Sequence, residues 1–195
     1  MKCMNIITPI PNELYLACSG GVDSMVALHF LQRAGRDVRC LYFNHGTEHG
    51  DVSESFLFKL LGPQLTVGHI DGVVPKGRSR EDFWREQRYQ FLDQFVDRQV
   101  ITCHHLDDQI ETLIQGFVHG VVGKTISYQR GNYLRPFLRV AKSIILDYAS
   151  RHSVQYLQDP SNSDVGYTRN RIRHNIVPEL LKVNPGLYKS LAKLC

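Results

Sequence analysis

The sequence predicts an α/β fold in which a doubly wound parallel sheet carries helices on both faces. Two observations lead to this prediction. Short apolar runs typical of buried strands alternate with longer segments in which apolar residues recur at helical spacing. The connecting segments are also long enough for the right-handed crossovers that join parallel strands. The predicted strands lie at 13–18, 38–43, 65–70 and 99–103, and the predicted helices lie at 24–34, 52–61, 80–97, 106–118, 140–151 and 169–182.

The elements follow one another in a regular order. The first strand is the apolar run at 14–18, and the helix after it places five apolar residues at helical spacing: Met25, Val26, Leu28, Phe30 and Leu31. The segment 71–79 carries two glycines, a proline and two cations, which predicts a mobile loop. The alternation ends near residue 130, where helix and loop replace further strand–helix units. We therefore divide the chain into an α/β domain at 1–130 and a short helical extension at 131–195, packed on the same domain.

Size and composition exclude several classes of protein. A chain of 195 residues with 43% hydrophobic and 22% charged residues is typical of one globular domain. No apolar run approaches the roughly 20 residues of a membrane span, and the first residues lack the apolar core of a signal peptide. Five cysteines without a Cys-x-x-Cys pair indicate a reducing compartment. We therefore expect a cytoplasmic protein without a membrane partner, and its net charge of +4 permits a polyanionic one.

The first strand leads into a turn built to bind phosphate. Glycines at 20 and 21 allow the backbone to approach an anion closely, and the helix that follows directs free N–H groups at it. The serine hydroxyls can donate further hydrogen bonds, and the aspartate can hold the magnesium ion that accompanies a nucleotide. The candidate nucleotide-binding residues are Ser19, Gly20, Gly21, Val22, Asp23 and Ser24.

Polar residues also follow two other predicted strands. Because ligands of such sheets bind beyond the carboxyl ends of the strands, the loops after residues 18, 43 and 103 are expected to form one cleft. The second loop reads Asn-His-Gly at 44–46, and the third opens a helix with Cys-His-His-Leu-Asp-Asp-Gln-Ile-Glu-Thr at 103–112. On its residues alone, the third segment fits either a metal site of a hydrolase or an acidic helix start with solvated histidines.

These motifs resemble those of known enzymes. Residues 19–24 resemble the pyrophosphate loop (PP-loop) of the N-type ATP pyrophosphatases, which cleave ATP between the α- and β-phosphates and adenylate a substrate. The remaining motifs narrow the resemblance to the tRNA(Ile)-lysidine synthetase family. They are the run at 104–112, Asn-His-Gly at 44–46, Glu81 with Arg85, Arg88 and Tyr89, Arg-Pro-Phe-Leu at 135–138, Asp-Pro-Ser-Asn-Ser-Asp at 159–164, Tyr167, and Arg-Asn-Arg-Ile-Arg-His at 169–174.

The resemblance implies an adenine nucleotide alpha hydrolase-like fold and a ligase that forms a carbon–nitrogen bond. Such an enzyme uses ATP and Mg²⁺ to adenylate the wobble cytidine of an isoleucine tRNA, and L-lysine then displaces AMP to give lysidine. The carboxylates of Asp108 and Glu111 would receive the lysine ammonium. Catalytic roles are implied for Asp23, Asp107, Asp108, Glu111 and Arg173. ATP-binding roles are implied for residues 19–24, His45 and His104, and magnesium-binding roles for Asp23 and Asp107.

Each group of basic residues has two possible roles, phosphate binding or a structural one. Arginine forks suit phosphate, so the tRNA-binding candidates are Arg85, Arg88, Arg169 and Arg171. Alternatively, the arginines at 169, 171 and 173 form a solvated face, because they spread around a helix and cannot all face one ligand. Arg85 and Arg88 can instead pair with acidic neighbours on their own helix. The polar segment at 159–164 is equally consistent with a turn and helix cap.

Two departures from the family leave other functions open. His119 stands where the family has an arginine, which weakens any permanent charge at that position. The family's C-terminal domains, which help to grip tRNA, are not in this sequence, and a homodimer, a partner chain or a smaller substrate could make up for them. One alternative is another adenylating enzyme of the same fold, a tRNA thiolase or amidotransferase. The other is a non-catalytic module that binds ATP or tRNA.

Overall fold

The computed structural model describes residues 4–158 and 168–194. Within those ranges, six strands form one sheet: β1 (Glu13–Ala17), β2 (Asp37–Asn44), β3 (Leu65–His69), β4 (Val100–Ile101), β5 (Gln129–Arg130) and β6 (Tyr133–Leu134). The α-helices of the same ranges are α1 (Val22–Arg33), α2 (Glu48–Leu61), α3 (Arg80–Leu92), α4 (Leu106–Val118), α5 (Lys142–Arg151), α6 (Thr168–Arg171), α7 (Val177–Val183) and α8 (Leu187–Leu191). A π-helical turn at Ile172–Ile176 joins α6 to α7.

The strand order in the sheet is β3-β2-β1-β4-β6-β5. β1 pairs in parallel with β2 on one side and with β4 on the other, and β5 joins the edge antiparallel to β6. The direction in which successive strands are added therefore reverses at β1. In such sheets, the crevice beyond the carboxyl ends of the strands at this switch point is where ligands bind.

Helices cover both faces of the sheet. Leu14 and Leu16 belong to the larger apolar core, which includes buried residues of α1, α2 and α5. Tyr15 lies between them in sequence and belongs to a second core on the opposite face, with Leu41 and with Leu92 of α3. Alternate residues of β1 thus point to opposite faces, as the pleat of a strand requires. The predicted doubly wound α/β fold is confirmed.

The structure corrects the sequence analysis in three places. β5 and β6 were not predicted, because a strand of two residues is too short to show a period. The predicted helix at 80–97 ends at Leu92, and the one at 169–182 is divided, with Pro178 in the first turn of α7. The expectation that strand–helix units end near residue 130 is wrong, because β6 pairs in parallel with β4 and leads into α5.

The division of the chain into 1–130 and 131–195 stays a prediction. Its boundary falls between the two strands of the β5–β6 hairpin, so the sheet continues beyond residue 130. Among the described residues, no helix is long and apolar enough to cross a membrane.

Candidate active site

The turn between β1 and α1 has the shape that phosphate binding requires. Gly20 has a φ of 79°, a conformation that strains any residue with a Cβ, and Gly21 caps the helix with extended backbone. The amide of Leu157 donates to the carbonyl oxygen of Gly20 at 2.9 Å, which attaches the turn to a distant segment of the chain. The turn is therefore held in place before any ligand binds.

Ser24 organises the interior of this turn. Its hydroxyl donates to the carbonyl of Gly21 at 3.0 Å and accepts from the amide of Ser19 at 3.2 Å, and its side chain is buried. Because the side chain makes these contacts, the N–H groups of the first turn of α1, those of Val22 and Asp23 among them, are not needed to hold the turn together. They point along the helix axis at the position where an anion would bind.

A cavity of about 280 Å³ opens beside the turn, at the switch point. Its walls come from the carboxyl ends of β1, β2 and β4, from one side of α3, and from the starts of α1 and α4. The residues that line it include Ser19, Asp23, Ser24, Phe43, Arg85, Arg88, Tyr89, Thr102, Cys103, His104, Asp108 and Arg169. A hollow of about 370 Å³ between α2 and His69 is larger, but it lies away from this turn. The loops after residues 18 and 103 thus contribute to one cavity as predicted, whereas the second loop, Asn-His-Gly at 44–46, does not line it and β2 contributes through its carboxyl end.

Asp23 lies between two basic side chains. Both of its carboxylate oxygens accept hydrogen bonds from Nζ of Lys142, at 2.6 and 2.7 Å. On another side, Nε2 of His105 lies 3.7 Å from Oδ1. The Lys142 ammonium comes from the first residue of α5, which begins beside α1 and α4.

Asp107 is held by two hydrogen bonds from distant parts of the chain. The backbone amide of Lys142 donates to Oδ2 at 2.7 Å, and the hydroxyl of Tyr188 on α8 donates to Oδ1 at 2.6 Å. Burial alone would raise the pKa of Asp107, but His105, Tyr188 and the amide of Lys142 lower it to about 2. Asp107 is therefore a carboxylate near neutral pH.

His105 lies at the centre of the carboxylates. It is 3% exposed, and its ring nitrogens lie 3.6 to 3.7 Å from Asp23, Asp107 and Asp108. Burial alone would lower the pKa of His105, but the nearby carboxylates of Asp108, Asp107 and Asp23 raise it above its usual value. The three carboxylates thus favour the protonated form of His105, which offsets part of the negative charge that α4 brings to the site.

A second group of charges lies one turn further along α4. Glu111 is 1% exposed and pairs with Nε of Arg173 at 2.6 Å and with Nε of Arg169 at 3.0 Å. Asp108 lies further from the same guanidinium groups, at 3.7 and 4.0 Å, and its Oδ2 accepts from the amide of His105 at 2.8 Å. Two arginine side chains thus lie beside Glu111 and Asp108, at the position where the lysine ammonium was predicted to bind.

The other two predicted histidines are neutral. His45 stacks on Trp84 with ring centroids 5.1 Å apart, and burial followed by the charge of Arg88 lowers its pKa to about 4. His104 shares a hydrogen bond of 3.0 Å between its Nδ1 and the hydroxyl of Thr102, and burial is the main cause that lowers its pKa to about 4. Both imidazoles can therefore accept or donate a hydrogen bond to a base without carrying charge.

The predicted tRNA-binding arginines lie in different places. Arg85 and Arg88 line the cavity, with their guanidinium carbons 5.5 and 5.6 Å from the ring centre of Tyr89. Arg169 lines the cavity from the side of α6, whereas Arg171 is exposed. Among the described residues, Arg169 and Arg173 pair with Glu111, whereas Arg171 is exposed, and the expectation that the three arginines cannot all face one ligand stays a prediction.

Two features named in the family resemblance, His119 and the segment 159–164, are not among the described residues that line the cavity. His119 is exposed at the C-terminal end of α4. The length of that helix puts it about 20 Å from the carboxylates at the other end, so this departure from the family does not touch the cavity. The segment 159–164 and Tyr167 lie outside the described residues.

A family model described as a PP-loop domain matches residues 3–180 of the chain. The chain belongs to the PP-loop domain family. Curated relatives carry the name tRNA(Ile)-lysidine synthase: that of Lactiplantibacillus plantarum is 34% identical over 197 residues, and that of Exiguobacterium sibiricum is 30% identical over 193 residues. Each alignment covers 91% of this chain but 44% and 46% of the relative. The chain thus spans about half the length of these relatives, and the resemblance seen in its motifs is confirmed.

Solved structures of PP-loop proteins share the fold. The tRNA thiolase NcsA from Methanococcus maripaludis, solved with its [4Fe-4S] cluster, has a TM-score of 0.71 at 17% identity and covers 94% of this chain and 71% of its own. The NH3-dependent NAD synthetase from Campylobacter jejuni has a TM-score of 0.53 at 17% identity, covering 93% and 82%. At these identities, the likeness shows the fold alone.

The predicted magnesium ligands of this PP-loop domain have hydrogen-bond donors on every carboxylate oxygen. Lys142 holds both oxygens of Asp23, and Asp107 accepts from Lys142 and Tyr188. The Lys142 ammonium stands where a cation ligated by Asp23 would stand. Across residues 4–158 and 168–194, no group of three or more His, Cys, Asp or Glu side chains is arranged to hold a metal ion. The arrangement does not fit a resident magnesium ion at these two residues.

Sequence reasoning assigned no role to Lys142 and Tyr188. One signal pointed to Lys142: it lies in the first turn of the predicted helix at 140–151, where a cation opposes the helix dipole and is stabilised by a nearby carboxylate. No local pattern marks Tyr188, because it lies 81 residues from the aspartate that it contacts.

Proposed function

We propose that this PP-loop domain joins L-lysine to C2 of the wobble cytidine of an isoleucine tRNA, with release of AMP and pyrophosphate. One observation carries the proposal: the carboxylates of Asp23, Asp107 and Asp108 surround His105 beside a preformed phosphate-binding turn. The relatives named tRNA(Ile)-lysidine synthase, aligned over 91% of the chain, support the choice of substrate. The scattered cysteines fit an enzyme of the cytoplasm.

The first step adenylates the cytidine. Its C2 carbonyl oxygen attacks the α-phosphate of ATP, an oxygen–phosphorus bond forms, and the bond to the leaving pyrophosphate breaks. Negative charge grows on the pyrophosphate, and the N–H groups of residues 22–24 at the start of α1 are aimed to stabilise it. We propose that His104, which lines the cavity, and His45 contact the adenine as neutral imidazoles.

The second step forms the new carbon–nitrogen bond. The lysine amine attacks C2, and the bond from C2 to the adenylate oxygen breaks to release AMP. Because an ammonium is not a nucleophile, a base must take a proton from the amine. Asp108 is the better candidate of the two predicted carboxylates, since it lines the cavity and its arginine contacts are long. Glu111 is buried and holds Arg169 and Arg173 in position.

The tRNA would approach along the arginine-bearing rim of the cavity. Arg85, Arg88 and Arg169 line it, and exposed Arg171 lies near the last of these on α6. Guanidinium groups bind phosphates through paired donors, so these residues suit an RNA backbone. The relatives are about twice as long as this chain. A homodimer or a partner chain that extends the tRNA-binding surface is a further part of the proposal.

Incorporation of radiolabelled lysine into RNA tests this function. The purified chain is incubated with ATP, magnesium and labelled lysine, either with bulk tRNA or with an anticodon stem-loop that has cytidine at the wobble position. We expect label in the RNA, dependent on ATP and lost in Asp23→Ala. Pyrophosphate release with another substrate and without lysine transfer would assign the chain to a different adenylating reaction. Nucleotide or tRNA binding without either signal would indicate a non-catalytic module.

A further inference from the structure

We infer that Lys142 is a further nucleotide-binding residue, whose ammonium contacts the terminal phosphates of ATP while it stays paired with Asp23. The inference rests on the proposed function, because it assumes that ATP binds at the turn between β1 and α1. Neither the motifs nor the comparisons assign Lys142 a role.

The backbone places Lys142 where three helices begin. The amide of Leu106, at the start of α4, donates to the carbonyl of Val140 at 2.9 Å, and the amide of Lys142 donates to Asp107 at 2.7 Å. The Lys142 side chain then reaches Asp23 in the first turn of α1. The positive ends of α1, α4 and α5 therefore converge on these residues, and a phosphate bound there gains from all three dipoles.

The hydrogen bonds of Lys142 leave one donor for a ligand. An ammonium group has three N–H donors, and the two oxygens of Asp23 accept two of them. Within residues 4–158 and 168–194, Asp23 is the one hydrogen-bond partner of the Lys142 ammonium. The side chain is 31% exposed, so the remaining donor is reachable from solvent. Asp23 lines the cavity, and Lys142 is in direct contact with Asp23, so its ammonium lies close to the position of a bound nucleotide.

The charge of the site gives Lys142 a reason to bind phosphate. A polyphosphate on the N–H groups of α1 lies beside the carboxylate of Asp23, and two negative groups in contact repel each other. An ammonium shared between Asp23 and a phosphate oxygen turns that repulsion into two attractive contacts. The competing explanation is that Lys142 only neutralises Asp23 and never touches the nucleotide.

A binding experiment with four variants separates the two explanations. Affinities for ATP and for AMP are measured by titration calorimetry on the whole chain and on Lys142→Met, Asp23→Asn and the double variant Asp23→Asn/Lys142→Met. Lys182→Met is the matched control, because Lys182 is 72% exposed and its ion pair in the described part of the chain is with exposed Glu179. Circular dichroism melting of each variant confirms that it is folded before its affinity is compared.

Contact with the terminal phosphates predicts a selective loss. We expect Lys142→Met to weaken ATP binding about tenfold, to change AMP binding by less than twofold, and to keep its loss in the double variant. Recovery of wild-type ATP affinity in the double variant would overturn the inference, as would equal losses for ATP and AMP. Intact ATP binding in Lys142→Met would overturn it while the proposed function stands. A selective loss in a chain that transfers no lysine to RNA would support the inference and overturn the proposed function.

Discussion

Removing the carboxylate of Glu111 should lower the free energy of unfolding less than removing the two arginines that pair with it. Glu111 is 1% exposed, whereas Arg169 and Arg173 are 38% and 35% exposed. In Glu111→Gln, the two guanidinium groups lose a charged partner but can turn to water, so the cost is that of a charge-assisted hydrogen bond, about 2 kcal/mol. In Arg169→Met/Arg173→Met, a buried carboxylate is left without its cations, which costs about 4 kcal/mol.

Urea unfolding near neutral pH measures both free-energy costs, and thermal unfolding of the same variants measures the shift in melting temperature; circular dichroism is the signal in each case. For a chain of this size, the melting temperature should fall by roughly 4 to 8 °C in Glu111→Gln and by about twice as much in the double variant. Glu179→Gln is the control: its partner Lys182 is exposed, so the change should stay below about 0.5 kcal/mol. A cost for Glu111→Gln that equals or exceeds the cost of the double arginine variant would refute the asymmetry and the burial argument behind it.

Three other variants test the site. Gly20→Ala places a Cβ at a φ of 79°, so we expect a loss of about 1 to 2 kcal/mol in stability. ATP binding, measured by titration calorimetry, should also weaken. An unchanged affinity would contradict this account of the turn. Tyr188→Phe removes a hydrogen bond to Asp107, and kcat should fall severalfold while ATP affinity is kept; an unchanged kcat would show that α8 does not position this carboxylate. The pKa values of His45 and His104 are lowered to about 4 in the folded chain, against 6.5 in the unfolded chain. Between these two pH values the unfolded chain binds more protons than the folded chain. The free energy of unfolding should therefore fall as the pH drops from about 6.5 to 4. The melting temperature of His45→Asn/His104→Asn should fall less over that range, and an identical pH profile would be inconsistent with neutral buried histidines.

Much of the fold could be predicted because its signals are local. The apolar run of β1, the glycines after it and the helical spacing of α1 lie within one stretch of about twenty residues. The same holds for the acidic start of α4, where Asp107 and Asp108 favour the positive end of the helix. The parallel direction of β1, β2 and β4 follows from crossovers of sufficient length. These features need no knowledge of distant contacts.

The errors have equally physical causes. β5 and β6 have two residues each, so they carry no period and exist because they complete hydrogen bonds at the edge of the sheet. The π-helical turn after α6 depends on how Ile172 packs with Ile110 of α4, which no local pattern records. The pairing of Glu111 with Arg169 and Arg173 needs two helices in one particular register, so no local pattern records it either.

The sequence by itself determined the chemistry available at the site: a phosphate-binding turn, a carboxylate-rich helix start and basic residues that suit a polyanion. Tertiary structure decided which of these groups neutralise one another. Lys142 and Asp23 are 119 residues apart, and they meet only because β1, β4 and β6 are neighbours in the sheet and the helices after them begin at the same edge. Local spacing fixes residue types and backbone shape, whereas charge pairing depends on distances of a few ångströms that only the assembled sheet sets.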